Sequence, residues 1–300
     1  MIDGLPDIPE RRFEDYPELP FSAIREKLDD LLVAMANLID RRWPVKYADR
    51  IDLKLFLLGT VKITENTYRS IRHLCADKPE DVSRRLEFAV SVPPLARTIL
   101  DSLFTVVYLF DDVDNRVGWF RRSGWREVFE EHKRYQKAYG VEAAWAEYLD
   151  LQKAFLDHDQ HELNITDKEA DDPKKIKWWP NPGKMIHDGD TTDDRTRYMS
   201  YLNDWFYKTL SADSHLSWPG FARRAIHFMD KDENQRVNRL RKYKSDCFVT
   251  AITLVLTLLS EIECEFRFGR TGRLKEVWNS LSEVFLEAKE IFEFRYADRL

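Results

Sequence analysis

The stretch "PPLARTILDSLFTVVYLFDD", Pro93–Asp112, is apolar at almost every position after its two prolines. A helix that is apolar nearly all round has little room for a solvated face, so it packs inside a bundle. The sequence therefore predicts a central helix over Pro94–Phe110. Its apolar positions are Leu95, Ile99, Leu100, Leu103, Phe104, Val106, Val107, Leu109 and Phe110.

Four polar residues of this helix, Arg97, Asp101, Tyr108 and Asp112, share one narrow line. At about 100° per residue they fall near 0°, 40°, 20° and 60° around the axis. A charge inside such a helix must be paired or hydrated, because an unpaired buried charge costs several kcal/mol. Arginine ahead of aspartate is the poorer order for an exposed helical pair. We therefore expect further partners from elsewhere in the chain.

The stretch "YKTLSADSHLSWPG", Tyr207–Gly220, is the expected source of those partners. Tyr207, Ser211 and His215 are spaced four residues apart, so they share one helical face and place His215 at a helix–helix corner. Two interpretations stay open. The cluster of Arg97, Asp101 and these three residues is a buried network in a binding or regulatory module. Alternatively it is the site of a hydrolase, RNase-like, with His215 as general base and Arg97 stabilising anionic charge.

Both stretches carry a family resemblance. Together with "LLGTVKITENTYRSIRHLC" they resemble the bacterial family labelled domain of unknown function 5677 over roughly residues 50–112 and 198–227, about a third of the chain. The resemblance implies an all-helical fold and no established activity. It also places Arg97, Tyr207, Ser211 and His215 on the family's recurrent polar positions, whereas Asp101 stands where the family usually has Glu.

The spacing of prolines predicts long helices in the rest of the chain. No proline occurs between Pro94 and Pro173 or after Pro219, and no series of alternating strands with tight turns is visible. The fold class is therefore all-α, a multi-helix bundle with long antiparallel helices around a central apolar helix. A second apolar run, Cys247–Ser260, would be roughly 21 Å long as a helix, short of the ~30 Å of a bilayer core. It is interpreted as a core helix, and no membrane partner is expected.

The predicted organisation is an extended segment over 1–20 and a single helical domain over 21–300. A long polar loop is expected at 165–194, anchored by Trp178 and Trp179. The acids and prolines of the N-terminal segment do not form an export signal. Three cysteines without paired spacing are typical of a reducing, cytoplasmic environment.

Charge indicates one possible contact region for a partner. The whole chain carries −6, but residues 219–244 contain eight basic and three acidic side chains and so carry +5. A nucleic acid or another phosphate-bearing ligand could be steered there. The candidate phosphate-binding residues are Arg223, Arg224, Arg236 and Arg239.

The remaining motifs of the sequence are incomplete, and no metal or cofactor is predicted. Arg126 and His132 have the spacing of helical ribonucleases, but chance supplies such pairs readily in an arginine-rich chain. In "HELNI", Ile165 stands where a zinc motif needs its second histidine. "FDDVDN" resembles the acidic motif of class I terpene synthases, but its partner motif has Tyr207 and Ser211 at two of three ligand positions. "HDGDTTDD" lacks the spacing of a calcium loop.

Overall fold

The computed structural model describes residues 21–75, 88–188, 194–214, 218–226, 229 and 232–300. These residues contain helices and no strand, so the prediction of an all-α bundle is confirmed. The expected extended segment 1–20 lies outside the described residues, and so does His215.

Many of the helices begin or end near prolines and polar residues of the sequence. In chain order the helices are α1 (Phe21–Arg41), α2 (Ile51–Leu74), α3 (Val92–Phe110), α4 (Val113–Tyr139), α5 (Ala143–Glu162), α6 (Asp167–Asp171), α7 (Pro182–His187), α8 (Asp194–Leu202), α9 (Lys208–Ser214), α10 (Trp218–Ala225), α11 (Glu233–Phe266), α12 (Thr271–Ser282) and α13 (Leu286–Ile291). Five-residue π-helical turns extend α8 over Asn203–Tyr207 and α13 over Phe292–Tyr296, and 3₁₀ turns occupy Val45–Tyr47, Phe88–Ser91 and Pro173–Lys175.

The described residues divide into two compact units, where the sequence predicted one domain over 21–300. Unit 1 contains the described residues up to Leu103 together with Tyr201–Leu300, and unit 2 contains Phe104–Ser200.

The core of unit 1 is built on α11, which packs against α1, α2 and α12. Every residue of α11 from Ala251 to Glu263 is buried. Buried hydroxyl groups in this run are satisfied locally, because Thr253, Thr257 and Ser260 each donate to the carbonyl four residues earlier. The apolar run Cys247–Ser260 is therefore a core helix, as predicted.

Unit 2 is organised by the pairing of α4 with α5. Trp125 is 2% exposed and packs with Leu156, Ile165 and Ile176 in one hydrophobic cluster. Its indole Nε1 donates to the Leu156 carbonyl at 3.0 Å, so the ring is buried without an unpaired donor.

The prediction of a long polar loop at 165–194 is wrong for much of that segment. Helix α6 begins at a capping box, in which Thr166 and Glu169 satisfy each other's backbone N–H groups. Helix α7 begins where the Asn181 side chain accepts from Lys184 N, with Pro182 at the first helical position. Short polar caps thus start helices in a stretch whose composition is typical of a loop. The expected anchor is present at Trp179, whose ring packs against the rings of Tyr108, Trp119 and Phe120, whereas Trp178 is 43% exposed.

Two helical stretches of the described residues are long and apolar enough to cross a membrane, Phe88–Phe110 and Asn234–Phe266. The apolar window of the second is 83% buried inside the protein, as in a core helix, and that of the first is 50% buried.

Candidate functional site

The structure brings Arg97 and Tyr207 together across 110 residues of sequence. The Arg97 guanidinium lies 3.3 Å from the centroid of the Tyr207 ring, which is close contact between a cation and an aromatic face. Arg97 Nε donates to Asp101 Oδ1 at 2.9 Å, and Nη1 makes a long, weak contact of 3.5 Å with the Tyr207 carbonyl. Only 14% of the Arg97 side chain is exposed. The guanidinium is therefore covered on one face by the ring and paired at its edge.

Tyr207 owes its position to the π-helical turn Asn203–Tyr207. In this turn the backbone N–H of Lys208 reaches back five residues to the Asn203 carbonyl. The extra residue in the turn changes the angular position of the side chains that follow it, which no regular helical wheel anticipates. Such bulges are rare and occur frequently at functional sites.

The prediction of a buried five-residue cluster needs correction. About half of the Asp101 side chain is exposed, at 49%, so water stabilises this carboxylate and burial does not force it to find a partner. Tyr207 and Ser211 are half-buried. Within the described part of the chain Ser211 makes no hydrogen bond to Arg97, and His215 lies outside that part. The structure thus assembles Arg97, Asp101 and Tyr207 at the edge of the core.

Tyr108, the third member of the polar line on α3, belongs to a different network in unit 2. Its hydroxyl donates to Asp188, and the guanidinium of Arg116 lies 3.8 Å from its ring centroid. Arg116 Nη1 donates to the Tyr108 carbonyl at 2.6 Å and to Asp111 Oδ2 at 2.8 Å. Arg195 Nη1 approaches the same Asp111 oxygen at 3.3 Å. Two arginines and two aspartates therefore surround one buried tyrosine.

The chemistry of this network suits a structural hydrogen bond. The pKa of Tyr108 is raised to about 12, mainly by burial and to a smaller extent by the hydrogen bond to Asp188. The nearby charge of Arg116 acts to lower this pKa. The hydroxyl accordingly stays protonated at neutral pH and donates to the carboxylate. Sequence reasoning missed Arg116, Asp188 and Arg195, because Asp188 and Arg195 stand far from Tyr108 along the chain and no periodicity links them.

The candidate phosphate-binding residues lie on two helices of unit 1. Arg223 and Arg224 belong to α10, and Arg236 and Arg239 lie near the start of α11. Helix α11 is capped by Asp232, whose carboxylate accepts from Asn234 N at 2.9 Å. Arg236 is half-buried and Arg239 is exposed.

The ribonuclease-like spacing of Arg126 and His132 does not produce a shared site. Arg126 is 8% exposed and donates to Glu130 and to the Ile176 carbonyl, at 2.9 and 2.7 Å. His132 Nδ1 instead lies 3.4 Å from Gln152 Oε1. Across the described part of the chain, no group of three histidine, cysteine, aspartate or glutamate residues could hold a metal ion.

Comparison of the chain with protein-family models, with curated proteins and with solved structures gives no match. The family resemblance inferred from the sequence therefore stays a prediction, and the site must be interpreted from its geometry.

Proposed function

We propose that this chain is a binding or regulatory module, in which the Arg97 network is a structural brace. The observation that carries the proposal is the 3.3 Å contact between the Arg97 guanidinium and the Tyr207 ring. The guanidinium covers an aromatic face and pairs with Asp101, so two of its binding surfaces are already occupied by protein groups. It joins α3 to the π-helical turn before α9 and holds that irregular turn in place.

The proposal includes a cytoplasmic location and a phosphate-bearing partner. All three cysteines, Cys75, Cys247 and Cys264, are free thiols, which suits a reducing compartment. Burial raises the pKa of Cys264 to about 11 and also raises that of Cys247, so neither thiol is an activated nucleophile. The basic stretch 219–244 is the proposed contact region for nucleic acid or another phosphate-bearing partner.

A hydrolase is the second candidate, and the observation that favours it is the π-helical turn that ends on Tyr207. In that case the Tyr207 hydroxyl and His215 would act on a substrate held beside Arg97. The two candidates differ in which part of Tyr207 matters, because a brace needs the ring and a hydrolase needs the hydroxyl.

Two substitutions at Tyr207 separate these candidates. Tyr207→Leu removes the aromatic face and should lower the free energy of unfolding by about 1–2 kcal/mol, since a largely desolvated cation–π contact is worth that much. Tyr207→Phe keeps the face and should lose less than half of that. Thermal unfolding and cleavage of a labelled RNA are measured on both variants. Unchanged stability of Tyr207→Leu would refute the brace, and a Tyr207→Phe protein with normal stability and lost RNA cleavage would establish the hydrolase.

A further inference from the structure

A groove of about 590 Å³ lies within unit 1, along one face of α1. Its lining includes the apolar side chains of Val33, Ala34 and Leu38. The lining of α1 runs from Asp29 to Arg41, which is about 18 Å of helix at 1.5 Å per residue. The volume is in the range of sites that hold small molecules.

Five arginines from three helices surround this groove. They are Arg41 and Arg42 at the end of α1, Arg69 on α2, and Arg270 and Arg273 at the start of α12. Arg69 pairs with Glu65 at 2.7 Å. Among the described residues the other four form no ion pair. The acids of the lining are Asp29, which pairs with Arg72, and Asp30.

A buried carboxylate holds the α12 side of the groove in shape. Glu263 is 1% exposed, and its Oε1 accepts from the backbone N–H groups of Gly269, Arg270 and Thr271 at 3.0, 2.8 and 3.2 Å. The turn it organises includes Gly269 at φ +80°, a conformation that favours glycine. Arg270 is thus presented to the groove by a rigid turn, which favours binding because little conformational freedom remains to be lost.

Two polar atoms of the lining residues lack partners. Arg270 Nε and Asp29 Oδ1 are both buried, and neither makes a hydrogen bond to any described residue. Buried polar groups are normally hydrogen-bonded, so two unpaired atoms in residues that line one groove are unusual. Both atoms are enclosed by protein, one on the α12 side of the groove and one on α1, so a ligand would reach them only after a local side-chain movement.

We propose that this groove binds a small phosphorylated molecule that also carries hydroxyl or amino groups. Guanidinium groups match phosphate oxygens through paired, charge-assisted hydrogen bonds. Arg41, Arg42, Arg270 and Arg273 would hold the phosphate groups, and Asp29 would accept a hydrogen bond from the rest of the molecule. Nucleoside phosphates have this combination. The site is distinct from the basic stretch 219–244 and from the Arg97 network.

The surroundings favour a small ligand over a nucleic acid. The whole chain carries −6, so an extended polyanion would be repelled outside a short basic region. The carboxylates of Asp29 and Asp30 in the lining would also oppose a continuous row of phosphates.

Calorimetric titration of the 300-residue chain at low salt tests the proposal with inorganic triphosphate, ATP and adenosine as probes. The key variant is Arg41→Ser/Arg273→Ser, which removes one cation from each of two helices and breaks no described ion pair. The matched control is Arg134→Ser/Lys137→Ser, which removes the same charge from exposed positions of unit 2. A third variant, Arg239→Ser/Arg241→Ser, removes two positive charges from the basic stretch.

We expect triphosphate to bind, ATP to bind more tightly, and adenosine alone to bind weakly. The Arg41/Arg273 variant should weaken triphosphate binding by at least about tenfold, while the control changes it less than about twofold. Circular dichroism must show the same thermal unfolding for both variants, so that lost binding is not lost folding.

Four other results would overturn the proposal in whole or in part. Absence of triphosphate binding, or an equal loss in the control, removes the groove as an anion site. If only the Arg239/Arg241 variant loses triphosphate binding, the ligand binds at the basic stretch. The groove proposal is then wrong, and the proposed binding function stands. If ATP binds no more tightly than triphosphate, the assignment of Asp29 is wrong. A single-stranded RNA oligomer that binds the groove more tightly than ATP would replace the small ligand.

Discussion

Replacing Glu261 by glutamine removes the negative charge at the centre of a buried ionic cluster in unit 1. Glu261 is 2% exposed and receives hydrogen bonds from Arg295 Nε at 2.9 Å, Tyr296 Oη at 2.8 Å and Arg299 Nη1 at 3.2 Å. The partners belong to the C-terminal segment after α13, whereas Glu261 lies in α11. The cluster therefore fastens the end of the chain to the core helix.

The cost of this substitution follows from burial. Removing one partner of a buried ion pair leaves an uncompensated charge, which costs about 3–5 kcal/mol. The introduced amide would still accept one hydrogen bond, so we expect a loss near the lower end, about 3 kcal/mol. For a unit of this size that loss lowers Tm by roughly 6–12 °C. It is a large part of the roughly 5–15 kcal/mol by which ordinary domains are stable.

Calorimetric thermal unfolding of wild type, Glu261→Gln and a matched variant, Glu276→Gln, provides the assay. Glu276 carries the same substitution on an exposed pair with Lys27, where 57% of the glutamate side chain is in solvent. Exposed ion pairs contribute little, so the control should unfold close to the wild-type temperature. Equal Tm values for the two variants would refute the reasoning, because burial would then have no role in the cost.

The same cluster predicts a pH dependence. Burial acts to raise the pKa of Glu261, but the charges of Arg295 and Arg299 and the Tyr296 hydrogen bond outweigh it, so the pKa lies below its usual range. A lowered folded-state pKa stabilises the protein above the unfolded value of about 4.3 and loses that contribution as pH falls through the folded value. Wild type should therefore lose more stability on acidification than Glu261→Gln. A gap between the two that does not narrow in acid would contradict this sign.

Three other perturbations follow from local geometry. Trp179→Ala should cost about 2–4 kcal/mol in urea denaturation because the ring packs against three aromatic rings, whereas Trp178→Ala, at a ring 43% exposed, should cost less; equal costs would show that the packing contributes nothing. Gly269→Ala should lower the free energy of unfolding by about 1 kcal/mol because of its positive φ alone, since a Cβ there meets no atom within 4 Å. Gly272→Ala inside α12 should be neutral or stabilising, and the reverse order would refute the backbone argument. The Cys264 thiol, with its pKa raised to about 11 by burial, should be alkylated by iodoacetamide at about pH 8 far more slowly in the folded than in the unfolded chain, as followed by mass spectrometry, and equal rates would count against burial of the thiol.

Local rules of the chain were enough to locate most helices. The apolar runs at Pro94–Phe110 and Cys247–Ser260 and the proline-free stretches predicted α3, α4, α5 and α11 because helix formation depends on neighbours three or four residues away. The same periodicity paired Arg97 with Asp101. It failed at 165–194, where caps at Thr166 and Asn181 outweigh the polar composition.

The partners of those helices depended on tertiary packing. Arg97 contacts Tyr207, which ends a π-helical turn that a wheel of fixed period does not describe, and no hydrogen bond joins Arg97 to Ser211 among the described residues. The arginines of the α1 groove come from three helices that are far apart in the chain, from Arg41 to Arg273. Hydrophobic burial is non-directional, so an apolar stripe shows that a helix is buried without showing which helix it meets, and only the packed chain brings such residues together.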